Sequence, residues 1–198
     1  MKTLRILGVA TSVLLIAGSA VAENANQRVA GKKGIGYFNG RAPVGVRYWK
    51  TDRYAIDFGV GLDVDSKVPV PGGADATLVD WAFDVGMPWA LHGEENMIVY
   101  FRPGVTVAGD QRFDDTAMDP TAGAKTYDTE FDVNLGIGGE FFLGQLGWPN
   151  LSFAGQVGFG LQIVSPGGTG KDTEVNFFTT VDDVNVVNTG SIGFHFYF

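Results

Sequence analysis

Large apolar residues alternate with small or polar residues along most of the chain beyond its first thirty or so positions. In the stretch FGVGLDV, from Phe58 to Val64, apolar residues occupy every second position and glycine fills two of the positions between them. The alternation recurs in LGIGG at 135–139 and in VGFGL at 157–161. Because successive side chains of a β-strand point to opposite faces, this pattern predicts strands with one apolar face and one glycine-rich or polar face.

Eight segments carry this alternation, six of them clearly and two, near the beginning, over shorter lengths. None of the apolar-face positions in the six clear segments is charged, although 18% of the chain is. The predicted strands are Lys33–Phe38, Ala42–Trp49, Arg53–Asp65, Thr77–Trp89, Met97–Val107, Tyr127–Phe141, Leu151–Ile163 and Ile192–Phe198. The sequence therefore predicts an all-β fold.

The connections between the predicted strands alternate between short turns and long loops. Strands joined consecutively by such connections pair as antiparallel neighbours. The expected architecture is an eight-stranded antiparallel up-and-down β-barrel over residues 33–198. The short turns are expected at Asn39–Arg41, Lys50–Asp52, Leu91–Glu95 and Gln145–Asn150, and the long loops at Ser66–Ala76, Ala108–Thr126 and Val164–Asn188.

The glycine-rich face indicates which side of the barrel faces inward. An eight-stranded barrel holds little more than its own side chains, so inward glycines would leave room for Arg47, Tyr100, Arg102 and Glu140. Outward apolar residues would then face lipid, which predicts a transmembrane barrel. The alternative is a soluble, lipocalin-like barrel that buries the apolar face. Aromatic residues near the short turns favour the membrane form, as an interfacial girdle: Tyr48, Trp49, Tyr54, Trp89, Phe141, Phe142, Trp148 and Phe153.

The first 22 residues have the features of a secretory signal peptide. Lys2 and Arg5 precede a short apolar run, and Ser19-Ala20-Val21-Ala22 offers a cleavage site after Ala22. Residues 1–22 are therefore predicted to be removed on export, residues 23–32 to lead into the barrel, and residues 33–198 to form it.

A signal peptide, alternating strands and the terminal segment GFHFYF together resemble the small bacterial outer-membrane β-barrels of the OmpA/OmpX kind. The resemblance implies a monomer in the Gram-negative outer membrane, in contact with its lipids and lipopolysaccharide. It implies that the barrel-assembly machinery reads the last strand, through Phe194, Phe196 and Phe198. It also implies that the turns at Lys50–Asp52, Leu91–Glu95 and Gln145–Asn150 face the periplasm. The long loops and the tight turn at Asn39–Arg41 would face outward.

Charged residues on the polar faces are the first candidates for chemistry. They are either a proton or ion path or a salt-bridged filling, and the filling is favoured because buried charges need partners. The expected lumen network comprises Arg47, Arg53, Asp57, Asp80, Asp84, Arg102, Asp132, Glu140 and His195.

His195 and the acidic loop are the other candidates. Outer-membrane lipid A deacylases carry a catalytic histidine followed two residues later by serine, whereas Tyr197 stands at that position here. The loop carboxylates Asp110, Asp114, Asp115 and Asp119 suit weak divalent-ion binding, but their spacing is not that of an EF-hand. No catalytic, cofactor or metal site is expected, and the chain is not expected to be an enzyme.

Composition narrows the functional classes further. A formal net charge of −8, made more negative by loss of Lys2 and Arg5, argues against nucleic-acid binding. The absence of cysteine excludes disulfides and thiolate sites. The expected function is a structural or surface-interaction role through the outer loops. The alternatives are a narrow channel or a lateral path for small solutes and, with less support, an outer-membrane lipid-modifying enzyme.

Overall fold

The computed structural model of the protein describes residues 28–37, 41–69, 75–113, 125–167, 172–179 and 191–198. Most of these residues lie in ten β-segments, and a short 3₁₀ helix spans Leu143–Leu146. The segments are β1 Lys33–Tyr37, β2 Val44–Trp49, β3 Ala55–Pro69, β4 Asp75–Gly86, β5 Trp89–Gly93, β6 Met97–Phe113, β7 Lys125–Phe142, β8 Leu151–Ser165, β9 Glu174–Thr179 and β10 Ser191–Tyr197.

The ten segments form a closed barrel of eight antiparallel strands, which confirms the predicted fold class. β4 and β5 both pair with β6 and make one interrupted strand, and β9 and β10 both pair with β8 and make another. The ring runs in chain order and closes where β10 pairs with both β1 and β8. Every pairing is antiparallel, so the topology is up-and-down.

Several strands differ in length from the prediction. β6 and β7 stay paired as far as Phe113 and Lys125, well into the predicted loop 108–126. β9 lies inside the predicted loop 164–188. The predicted strand Thr77–Trp89 is broken at Pro88, because proline has no N–H to donate to a neighbouring strand. The Pro88 carbonyl still accepts a 2.8 Å hydrogen bond from the Ala55 N–H and so keeps the wall continuous.

One end of the barrel is closed by an apolar cluster. We call this the lower end; it carries the turns at 50–54, 94–96 and 143–150. The cluster comprises Val29, Trp49, Ala55, Ile98, Phe142 and Tyr197, all buried inside the barrel. Val29 belongs to the lead-in predicted at residues 23–32, and the Gly31 N–H fixes this segment by donating to the Trp49 carbonyl at 2.7 Å. The predicted signal peptide lies outside the described residues.

Side chains alternate between an exposed apolar outer face and a buried polar inner face. Phe58, Val60 and Leu62 point outward, and Leu62 is 72% exposed. Asp57, which immediately precedes Phe58, is fully buried inside. The apolar side chains therefore lie on the outer face and the polar ones inside, in contrast to the buried apolar core of the lipocalin-like alternative. No helix within the described ranges is long and apolar enough to cross a membrane.

The predicted aromatic girdle is divided between the two faces. Trp89, Phe141, Trp148 and Phe153 are exposed near the lower end. Trp49 and Phe142 are buried inside, so their assignment to the girdle is wrong. Both occupy inward positions of their strands, where they contribute to the apolar cluster instead.

Inward glycines make room for large inward side chains. A Cβ built on Gly86 or Gly104 would overlap the Arg102 guanidinium, and one on Gly138 would overlap the Tyr100 ring. A Cβ on Gly34 would press on the Tyr197 ring. The interior has space for only one of two facing side chains, which explains why glycine occupies these inward positions.

Replacing Gly86 with alanine is expected to lower the free energy of unfolding by about 1–3 kcal/mol, because Arg102 is held by ion pairs and cannot move aside. Gly139→Ala is the matched control on the outer face, where a Cβ would meet only the Ile98 carbonyl oxygen at 4.0 Å. Urea unfolding of the two refolded variants measures the difference. Equal stabilities would contradict the assigned packing of Arg102.

Candidate functional site in the barrel lumen

Arg47 lies at the centre of a buried ion network and bridges opposite walls of the barrel. From β2, its Nε and NH2 atoms donate to the two carboxylate oxygens of Asp57 at 2.7 and 2.8 Å. Its NH1 atom donates to Glu140 Oε2 at 2.8 Å, on β7 across the lumen. Its guanidinium carbon stands 5.0 Å from the centre of the Tyr100 ring. The planar fork of arginine suits it to hold two carboxylates in one geometry.

Arg102 extends the network along the neighbouring strands. Its Nε donates to Asp57 Oδ2 at 2.8 Å, and its NH2 pairs with Asp84. Thr106 Oγ1 donates to the other Asp84 oxygen at 2.9 Å. Both arginines are at most 4% exposed, and Asp57 and Asp84 are at most 1% exposed. Each buried charge therefore has a charged partner at hydrogen-bond distance, as burial requires.

Glu140 joins the arginines to the last strand. The hydroxyls of Ser152 and Tyr197 donate to its Oε1, the latter at 2.7 Å. His195 Nδ1 lies 3.0 Å from the same oxygen. A serine, a histidine and a glutamate thus meet, but the serine hydroxyl donates to the carboxylate. The Ser152 hydroxyl therefore does not donate to His195, as a serine nucleophile would donate to the base that activates it.

These residues form what we call the lower charge network: Arg47, Asp57, Asp84, Arg102, Thr106, Glu140, Ser152, His195 and Tyr197. It lies directly above the apolar cluster, and Tyr197 belongs to both, since its hydroxyl also accepts from Trp49 Nε1 at 3.2 Å. All of its members are at most 7% exposed. Together the two layers fill the lower half of the lumen.

The residues just before β2, 41–43, lie in the upper half of the lumen. Residues 41–43 pass over the inner faces of Gly59 and Gly61, where added Cβ atoms would meet Ala42 and the Arg41 carbonyl. The Arg41 guanidinium pairs with Glu130 and lies 3.5 Å from Asp132 Oδ2, both on β7. Because β2 and β7 stand four strands apart in a ring of eight, Arg41 spans the barrel.

Carboxylates dominate this upper half. We call Asp63, Asp80, Asp110, Glu130 and Asp132 the upper carboxylate cluster. Asp63 and Asp80 are paired across β3 and β4, so two like charges stand directly opposite. Asp63, Asp80 and Asp110 line a cavity of about 580 Å³, together with Arg41, Pro43, Gly61, Leu62, Trp81, Ala82 and Ala108.

The structure places most of the predicted lumen residues on the inner face. Asp57, Asp84, Glu140 and the two buried arginines meet His195 in the lower charge network, whereas Asp80 and Asp132 belong to the upper carboxylate cluster. The prediction that Arg53 lies in the lumen is wrong. Arg53 is exposed in the turn between β2 and β3 and makes no ion pair among the described residues. The turn extends two residues further than the alternation indicated, so Arg53 precedes β3.

Other lumen residues were not predicted from the sequence. Asp110 falls within the predicted loop 108–126, but β6 continues to Phe113 and turns Asp110 inward. Asp114, Asp115 and Asp119 lie outside the described residues. Arg41 falls within the predicted tight turn 39–41, and nothing in the local sequence shows that Arg41 lies inside the barrel. Ser152 lies on the predicted polar face, so the alternation could have found it.

Phe194, Phe196 and Phe198 are outward and at least 50% exposed.

No family model matches the chain, and no match was found among curated proteins or among solved structures. Within the described ranges, no three histidine, aspartate or glutamate side chains lie close enough together to hold a metal ion. The site consists of a filled lower lumen and an acidic upper cavity inside a closed eight-stranded barrel.

Proposed function

We propose that the chain is an integral β-barrel of the bacterial outer membrane with a structural or surface-interaction role. The observation that supports this most strongly is the continuous apolar outer surface combined with charged residues buried inside. Large outward residues from four strands, Phe58, Phe83, Val133 and Phe159, are each 42–48% exposed. A water-soluble monomer rarely exposes so large an apolar surface, whereas lipid requires one.

The filled lower lumen supports a surface role over conduction along the barrel axis. An ion crossing the barrel would have to displace Arg47 from Asp57 and Glu140 and then pass the apolar cluster around Trp49. We therefore expect no conductance from the purified protein in planar lipid bilayers. A stable single-channel current would contradict this and restore the narrow channel as the leading function.

Heat-dependent gel mobility of the outer-membrane fraction tests the membrane assignment. A folded membrane barrel resists SDS until it is boiled, so the protein should sediment with outer membranes and shift in mobility on boiling. The unboiled and boiled samples of one preparation serve as mutual controls. Recovery in the soluble periplasmic fraction, without a mobility shift, would contradict the assignment.

The structural and the surface-interaction roles are separated by complementation. A strain lacking the protein should grow poorly in SDS if the barrel supports the envelope. A variant without residues 114–124, in the connection between β6 and β7, should restore growth if the role is structural. It should fail to do so, while still showing the gel shift, if the role depends on that outer loop. Normal growth of the deletion strain would contradict an envelope role.

A further inference from the structure

We propose that the upper lumen binds a small organic cation with two or more separated ammonium groups, of the polyamine class. The site is the cavity of about 580 Å³ bordered by Asp63, Asp80 and Asp110. Its volume lies within the range of roughly 300–1,000 Å³ that is usual for small-molecule sites. The inference concerns the lumen of the folded barrel and does not depend on a surface or structural role.

The side chains that line the cavity carry an excess of negative charge, which favours binding of a cation. Among the described residues that line it, Arg41 is the one cation, against three carboxylates. Among the described residues, Asp63, Asp80 and Asp110 make no ion pair, and Asp63 directly faces Asp80 across two strands. Like charges placed opposite one another destabilise a sheet, so a bound cation would stabilise this arrangement.

Asp132 provides a second, independent observation. Asp132 does not itself line the cavity, but it lies on β7 beside the guanidinium of Arg41, which does. It is only 7% exposed, and its Oδ1 atom is buried without a hydrogen-bond partner. Its other oxygen is 3.5 Å from Arg41 NH1, which lies closer to Glu130. The Arg41 guanidinium therefore leaves one buried carboxylate oxygen of Asp132 without a hydrogen bond. Such an unpaired buried oxygen is costly.

The spacing of the carboxylates selects the class of ligand. No three of them lie close enough to surround one metal ion, within the part of the chain that the structure describes. They are spread over β3, β4, β6 and β7 instead, so a ligand with several separated positive charges matches them better than a single ion does. Arg41, which itself reaches from one wall to Glu130 on the other, shows that this space accepts an extended cation.

Calorimetric titration of the refolded protein with spermidine, in detergent, tests the proposal. We expect saturable binding near one equivalent, weakened at least tenfold in the double variant Asp63→Asn, Asp80→Asn. Asp172→Asn with Glu174→Gln is the matched control; it removes the same charge from exposed positions near the start of β9, outside the cavity, and should bind normally. Asp63→Asn alone provides a milder variant, and folding of each is checked by far-ultraviolet circular dichroism.

Three outcomes would overturn the proposal. The first is the absence of saturable binding by the folded protein. The second is an equal loss of affinity in both double variants, which would indicate general attraction to an acidic surface. The third is full competition by an equal concentration of Mg²⁺, which would indicate ordinary counter-ion binding. Because the assay uses purified protein, its failure would leave the membrane assignment intact, and failure of the gel-shift test would leave the cavity proposal intact.

Discussion

Replacing Arg47 with methionine is expected to lower the free energy of unfolding by about 3–5 kcal/mol, the largest effect of any single change considered for this barrel. Methionine has a similar length but no charge, so Asp57 loses two hydrogen bonds and Glu140 loses its guanidinium partner. Both carboxylates would remain fully buried. The measurement is urea unfolding of the refolded protein, followed by its gel mobility.

Arg112→Met is the matched control for this prediction. Arg112 also pairs with an inward carboxylate, Asp128 at 2.8 Å, but its side chain is 45% exposed. Exposed ion pairs contribute about 1 kcal/mol or less, so the control should remain close to the parent protein. Adding Glu140→Gln to Arg47→Met should recover part of the loss, because it removes the buried charge that has lost its guanidinium partner, whereas Asp57 keeps Arg102. Similar stabilities of the two single variants would show that the lower charge network does not hold the barrel together.

Replacing Val60 with arginine is expected to cost about 2–4 kcal/mol when the barrel is folded in lipid vesicles, because Val60 lies on the outer face among apolar neighbours. It pairs with Val44 on one side and with Phe83 on the other, and it is 36% exposed. If water surrounded the barrel, the same change at a partly exposed strand position would cost no more than about 0.5 kcal/mol. The size of the loss therefore measures the medium around the outer face.

Gln145→Arg is the control for Val60→Arg. It adds the same charge at an exposed position in the short helix at the lower end, where either arrangement leaves it in contact with water. Its effect on unfolding should be small. Equal, small effects of the two substitutions would mean that the outer face does not meet lipid, and the soluble alternative would then gain support.

The sequence by itself determined the strands and their faces. Side-chain direction in a strand has a period of two, so the alternation around Phe58 and Val60 predicted which residues share a face without any knowledge of their neighbours. The number of strands and the up-and-down order followed from the connections. The local pattern failed where backbone pairing continued beyond it, as in the outer part of β6, and where Pro88 interrupted a strand that the side chains alone left continuous.

The tertiary structure alone decided which charges meet. Arg47 and Glu140 are 93 residues apart, and Arg41 and Glu130 are 89 apart. Their contacts exist because the ring closes and brings β2 opposite β7. Which side chain occupies the space above each inward glycine, and the inward course of residues 41–43, likewise depend on the width of the closed barrel. A period of two fixes the face on which a residue lies, whereas only closure of the ring fixes the residue that it faces.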